Sequence, residues 1–460
     1  MKVGLPAGPL AVAALVTVLA TALFCAGSGN VPASAADEQA QILERTRQTL
    51  LYGIDSQVLE VVQRIDSTRD GRFTKELATV LAETGSADVK KAILGVFDDQ
   101  GLKDGEAVAR QILGDKENPT GDLVVESIHY LAVIKAAGLG ALLVPLIDSP
   151  DKAVASEAIR SCGKTGDSAC AAALETRLKS LDFPDALRPD VILALGDLKD
   201  PKAVDDLIAI AKNPDNDKIQ RVYAADSLGK IGDARAMPVL TAMFQEKDAL
   251  VRAYAANALA HFSIGDVFPM LIQGLKDDDW KVREQCANAL TGTLSAGQAD
   301  TALPVLQYKA RYDPVSQVRV AAIKAIGGMA GSRGEDTLAM LYKGAGFPPE
   351  TRENALKALV GRSLSLAVDA AKSVIAAEGK GVDQRPIQAT ARVLSEAKGA
   401  ELRDVFSTLL DSPDATVRAY AVRGIAVNGF SDLKARLKDM SQKDPSPLVQ
   451  REAEKALEKL

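Results

Sequence analysis

The segment Leu250-Val251-Arg252-Ala253-Tyr254-Ala255-Ala256-Asn257-Ala258-Leu259 returns 31 residues later as Lys281-Val282-Arg283-Glu284-Gln285-Cys286-Ala287-Asn288-Ala289-Leu290. The same frame reappears around Arg319 and Arg418, and in weaker form around Arg188, Arg221 and Arg352. Successive arginines are 33, 31, 31, 36 and 33 residues apart from Arg188 to Arg352, and the next step, to Arg418, is 66, two periods with a degenerate copy near Gln388. Val449, Ala453, Ala456 and Leu457 fit a final copy, and Val154, Ala158 and Cys162 an earlier one. A period of this length marks a stacked array, because one such unit cannot bury its apolar face without neighbours.

Counted from each arginine, apolar residues fall at −1, +3, +6 and +7, the stripe of an amphipathic helix with small residues where neighbours press closest. Asp217, Asp248, Asp279 and Asp414 stand four residues before an arginine, placed to accept hydrogen bonds from the free N–H groups of a helix start. Runs such as Gly229-Lys230-Ile231-Gly232-Asp233 supply glycine for a left-handed helix end. Between the arginine helices recur Pro145-Leu146, Pro238-Val239-Leu240, Pro269-Met270-Leu271 and Pro304-Val305-Leu306. Proline costs little near a helix start, so each unit reads as helix, tight turn, helix. With aromatics at only 4% and hydrophobic residues at 47%, the chain has the content of an all-α protein.

On Asp248, Val251, Arg252, Ala255, Ala258 and Leu259, with their counterparts in neighbouring copies, the chain resembles the HEAT repeat family in its short bacterial form. The resemblance implies a right-handed α–α superhelix of stacked helix pairs, with the arginine helices along its concave side. It also implies a ladder in which Arg221, Arg252, Arg283, Arg319, Arg352 and Arg418 meet acidic groups of adjacent repeats. The match is good from about Asp151 to Leu460 and weaker before it. The expected organisation is a signal peptide over 1–35, irregular helical repeats over 36–120, and the repeat solenoid over 121–460.

The first 35 residues differ in kind. Lys2 is the only charge before Asp37, Leu10 to Cys25 is apolar save for Thr17 and Thr21, and Ala33-Ser34-Ala35 follows. A basic start, an apolar core and an A-x-A site read as a secretory signal cleaved after Ala35. Two other fates stay open: lipidation of Cys25, or retention of the apolar run as an anchor, and membrane association is expected only with one of these. Without the signal, 54 basic side chains face 61 acidic ones, a formal charge of −7 that lacks the basic footprint of a nucleic-acid binder. Cys162, Cys170 and Cys286 remain, an odd number that makes no disulfide framework, although Cys162 and Cys170 face a tight turn across which they could pair.

Gly163-Lys164-Thr165 imitates a phosphate-binding loop, but Ala158 occupies the place of its first glycine and the segment follows a helix. His129 and His261 lack partners at ligand spacing, so no metal, cofactor or catalytic residue is expected. The remaining candidates are surface groups. Position +5 points away from the core stripe and reads Asp226, Asn257, Asn288, Lys324, Lys357 and, two repeats on, Arg423, a row running from acidic through amide to basic. Trp280, beside Asp277, Asp278 and Asp279, is a second candidate anchor for a partner. The function expected is a non-enzymatic, exported scaffold for protein partners in the periplasm or cell envelope. Two alternatives are a structural part of an envelope assembly and a lyase or cofactor-handling protein, which some HEAT-like families are.

Overall fold

Each of the four capping aspartates precedes a helix in the computed structural model. Asp248 accepts from Leu250 N–H at 2.9 Å and Val251 N–H at 3.4 Å, Asp217 from Ile219 at 2.8 Å, Asp279 from Lys281 at 2.8 Å and Asp414 from Val417 at 3.0 Å. The structure describes residues 35–115, 120–292, 294–379 and 381–460. All regular secondary structure among the described residues is helical, so the chain is an all-α repeat solenoid. None of these helices is long and apolar enough to cross a membrane. The signal sequence expected over 1–35 lies outside the described residues, save for Ala35 at the start of the first helix.

The chain divides into two compact units, residues 1–96 and 97–460, with the division inside helix Ala87–Gln100. The first unit contains helices Ala35–Tyr52, Asp55–Thr68 and Thr74–Glu83 around Val62, Ile65, Leu77 and Leu81. In the second, Glu106–Gly114 packs on Gly121–Val133, which packs on Lys152–Thr165. The stack is therefore continuous across residue 120, where the sequence reading placed a boundary because the Asp–Val–Arg signature is absent there.

From that point the arginine-type helices follow one another in a single row. They are Lys152–Thr165, Arg188–Leu198, Lys218–Ile231 (the Arg221 helix), Ala249–Leu259 (Arg252), Trp280–Ala289 (Arg283) and Ser316–Gly328 (Arg319). Pro349–Arg362 (Arg352), Arg385–Ser395, Ala415–Asn428 (Arg418) and Pro447–Leu457 complete it, each packing on the next. Their buried stripe is wider than the sequence period suggests. Position +4 is buried as well, at Ile192, Ala225, Ala256, Ala287, Ile323, Leu356 and Val422, because each helix is covered on both flanks and by its intervening partner.

Glycine sets how closely the row packs. A Cβ on Gly229 would lie 2.6 Å from Ala258 Cα, one on Gly196 2.7 Å from Ser227 Cα, and one on Gly163 2.9 Å from Ala194 Cα. In the Gly-x-x-Gly-Asp run the two glycines thus have separate tasks. Gly229 admits the next backbone, and Gly232, at φ 73°, makes the left-handed helix end. Likewise Gly163 sits inside helix Lys152–Thr165 and Gly166 closes it, so the phosphate-loop imitation is a repeat element. Pro238 stands at a helix start as expected, whereas Pro269 and Pro304 lie inside Ile264–Gly274 and Ala296–Tyr312.

The degenerate copy, which the sequence places near Gln388, is helix Arg385–Ser395. Its buried set is Ile387, Thr390, Ala391, Val393, Leu394 and Ser395. With Ile387 in the arginine position, +3, +4, +6 and +7 are buried and +5 is exposed, as in the Arg319 and Arg418 copies. Gln388 there keeps −1, +3, +6 and +7 buried but puts exposed Arg392 at +4 and buried Val393 at +5. In the Ile387 frame, position +5 of this copy is Arg392.

Candidate binding surface

Behind the row of helices runs a ladder of guanidinium–carboxylate pairs. Arg252 donates to Asp277 at 2.9 and 2.8 Å, Arg283 to Asp313 at 2.8 and 2.9 Å, and Arg418 to Asp444 at 2.8 and 2.8 Å. Arg221 reaches Glu246 at 2.5 Å, Arg352 reaches Glu378 at 2.6 Å, and Arg319 pairs with Glu350. Glu246, Asp277, Asp313 and Asp444 stand in the connection before the next arginine-type helix, Glu350 in the first turn of that helix and Glu378 at the end of the intervening one. The same guanidinium also closes the connection before its own helix: Arg283 donates to the Asp277 and Asp278 carbonyls, both at 2.9 Å, and Arg252 to those of Glu246 and Lys247. One planar fork thus joins two consecutive repeats, a task that needs arginine geometry. Burial would raise the Asp313 carboxyl, but the bonds from Arg283 and from Val315 N–H outweigh it and hold the group below the ordinary carboxylate range; Asp277 and Asp444 are lowered in the same way.

The ladder lapses once, at Ile387. Gln388 bridges to Asp414 through its amide at 2.9 Å instead. A cleft of about 350 Å³, lined by Ile375, Ile387, Val405, Leu409 and Pro413, opens where a guanidinium would have reached.

The opposite face carries position +5, whose residues the structure places along one row of helices but does not leave uniformly free. Asp226 accepts from Asn257 at 3.0 Å and from Lys230 at 3.1 Å, so the acidic end of the expected gradient is largely internally satisfied. Lys357 pairs with Glu353 at 2.8 Å. Arg423 pairs with Glu452 at 2.7 Å and lies over the Tyr420 ring at 5.4 Å. Asn288 is half-buried and Lys324 exposed. Tyr223 and Tyr254, at +2 on neighbouring helices, bring their rings within 6.2 Å beside the Asp226–Asn257 pair.

Upstream the row continues through His129 and Arg160. His129 lies between Asp98, at 3.4 Å, and Glu157, at 3.5 Å, and Arg160 meets Asp190 at 3.0 Å. His129–Glu157, Arg160–Asp190 and Arg423–Glu452 share one geometry, position +5 to position +2 of the next helix. This second set of rungs escaped the sequence reading; the signal was the pairing of a cation at +5 with an acid about 30 residues later. Trp280 is the first residue of its helix and half-buried, with the Lys281 ammonium 5.7 Å from its ring centre. Cys162 and Cys170 are buried free thiols, and their mutual hydrogen bond, with burial, pushes the Cys162 thiol up.

Among solved structures, the chain is similar to the complex of CpcE and CpcF of phycocyanin lyase from Nostoc sp. PCC7120, at 20% identity over 52% of this chain and 94% of that one, with a TM-score of 0.34. It is similar to the structure of Kap95p with RanGDP at 12% identity, over 91% of this chain and 66% of that one, with a TM-score of 0.47. For importin beta the identity is 13%, over 91% of this chain and 67% of that one, at a TM-score of 0.46. No curated protein matches the chain. The family model described as spirochaete HEAT repeat protein matches residues 50–456, which takes in most of the N-terminal segment where the arginine signature is missing. With that match over nearly its whole length, the chain belongs to the HEAT repeat family.

Proposed function

We propose that this protein is an exported, non-enzymatic scaffold that captures protein partners on the exposed face of its arginine-type helices. The observation that carries the reading is the division of labour between the two faces of one helix row. One face is locked by buried bidentate pairs such as Arg283–Asp313, while the other presents tyrosines, amides and exposed cations on helices held in fixed order. A surface of this kind is already ordered before binding, so a partner meets it at little entropic cost. HEAT solenoids are typical of protein-interaction scaffolds, and the basic start, apolar run and A-x-A site of the first 35 residues support the export part of the reading.

Crosslinking the protein in intact envelopes, followed by identification of what is attached, tests the proposal. A discrete partner is expected, with capture weakened by Lys324→Glu combined with Lys357→Glu while the unfolding transition stays put. Recovery of nothing above background from intact envelopes sinks the scaffold reading. Purified protein that runs only as a large self-assembly would favour a structural component instead.

A further inference from the structure

Reading position +5 with the degenerate copy framed on Ile387 changes its character over the last five repeats. The residues are Lys324, Lys357, Arg392, Arg423 and Lys455, one cation per repeat without interruption, and all five are exposed. The sequence alone assigns no +5 residue to the degenerate copy near Gln388; the burial pattern, framed on Ile387, supplies Arg392. Between them the cations pair with two carboxylates. Glu353 holds Lys357 at 2.8 Å and Arg392 at 2.6 Å, and Glu452 holds Arg423 at 2.7 Å and Lys455 at 3.7 Å. Five cations against two acids leave a positive row on a protein whose formal charge is −6.

The C-terminal part of the row, from Arg392 to Lys455, also borders a groove. A cleft of about 560 Å³ is lined by Arg392, Arg385, Tyr420 and Phe347 together with Glu350, Glu353 and Asp383. A second cleft, of about 600 Å³, is lined by Tyr420, Arg423, Lys455 and Lys459 together with Glu396 and Glu452. They share Tyr420, so the cations from Arg392 to Lys455 border adjoining hollows with an aromatic wall between them.

Resting on the scaffold reading, we infer that this groove takes an extended acidic segment of a protein partner, with a carboxylate at every third residue. The spacing argument is geometric. Packed helices stand about 8–10 Å apart, so successive +5 cations recur at about that interval. A polyproline-type segment advances about 9 Å in three residues and returns to the same face. A Glu-x-x-Glu-x-x-Glu segment laid across the row therefore offers one carboxylate to each repeat. Intervening apolar side chains would rest on Tyr420 and Phe347. Glu353 and Glu452 interrupt the positive row and disfavour a uniform polyanion such as a nucleic acid, whose phosphates cannot skip them.

The probe is a fluorescein-labelled peptide of five Glu-Pro-Pro units, compared with a peptide of equal composition whose glutamates are clustered at one end. The full chain should bind the regular peptide in a salt-sensitive manner, and the clustered one about tenfold more weakly. Arg392→Glu combined with Arg423→Glu should lose about tenfold in affinity for the regular peptide, and Tyr420→Ala should weaken it without altering the salt dependence. Equal affinity for both peptides, full retention by the double variant, or no binding of either peptide overturns the inference. So does tighter capture of a single-stranded oligonucleotide or of phosphatidylglycerol vesicles than of the regular peptide. If these results appear while envelope crosslinking still recovers a partner, the scaffold reading survives and only the acidic-segment inference fails.

Discussion

Arg283 and Asp313 meet through two parallel hydrogen bonds of 2.8 and 2.9 Å, with the Asp313 side chain fully excluded from solvent and that of Arg283 nearly so. Lys309 approaches the same carboxylate at 3.5 Å, and the Val315 N–H donates to it at 3.1 Å. Removing Asp313 would strand the Arg283 guanidinium, whereas removing Arg283 would leave the carboxylate to Lys309 and the Val315 N–H alone. Such a pair is a device for fixing the order of repeats more than a net source of stability, since burying two charges costs about what their attraction returns.

Arg283→Ala should destabilise the second unit by about 1–3 kcal/mol, the cost of removing two charge-assisted bonds from a buried carboxylate that only Lys309 and the Val315 N–H still meet. Arg423→Ala, which breaks a solvent-screened pair with Glu452, should cost about 0–1 kcal/mol. Urea unfolding of both variants checks the contrast. Equal midpoints would mean that the ladder arginine is solvated in practice.

The ladder should also make the fold acid-sensitive. Asp277, Asp313 and Asp444 have folded-state pKa values below the ordinary 3.8. A depressed carboxylate contributes stability that is fully present above the unfolded value and is lost as pH falls through the folded one. The thermal midpoint should be flat in this respect near neutrality and drop steeply below about pH 4. In Asp313→Asn the drop should be shallower, because one of the linked protons is gone. A wild-type midpoint that does not change between pH 5 and pH 2 would contradict the lowered values.

The proposed export makes a separate prediction at the N-terminus. Mass spectrometry of protein recovered from its native envelope should find a chain beginning at Ala36, with Lys2 and the apolar run removed. A lipid on Cys25 or an intact Met1 would move the protein to a membrane surface.

What the sequence disclosed were the features encoded within one copy. An aspartate four residues before an arginine, a small residue at +3 and a glycine at the helix end each act locally, so their spacing suffices to find them. Features requiring two copies at once were harder to read. Gly229 looked like part of a helix-ending turn because its real neighbour, Ala258, is 29 residues away. The frame at Ile387 was hidden because the connection before it is longer and no arginine marks it; two equal periods of 33 from Arg352 would put it at residue 385. The +5 row illustrates both cases: its polarity was evident, but the Asp226–Asn257 bond and the membership of Arg392 depend on how neighbouring helices are rotated.

Two helix-interior glycines separate packing from propensity. In helix Pro349–Arg362, Gly361 faces open space, and alanine there should stabilise by about 0.5–1 kcal/mol through helix propensity alone. Gly196, in helix Arg188–Leu198, has Ser227 Cα 2.7 Å from where a Cβ would stand, and that atom belongs to the backbone of the next helix. Gly196→Ala brings the same propensity gain but forces two packed helices apart, an overpacking cost of about 1–3 kcal/mol that outweighs it. The two substitutions should thus shift the thermal midpoint in opposite directions. The displacement should propagate: neighbouring repeats share interfaces on both sides, so Gly196→Ala should raise amide exchange in the Arg221 helix as well as its own. If Gly196→Ala matched Gly361→Ala in sign and left exchange in the Arg221 helix unchanged, close glycine contact would not be what sets the spacing of the row.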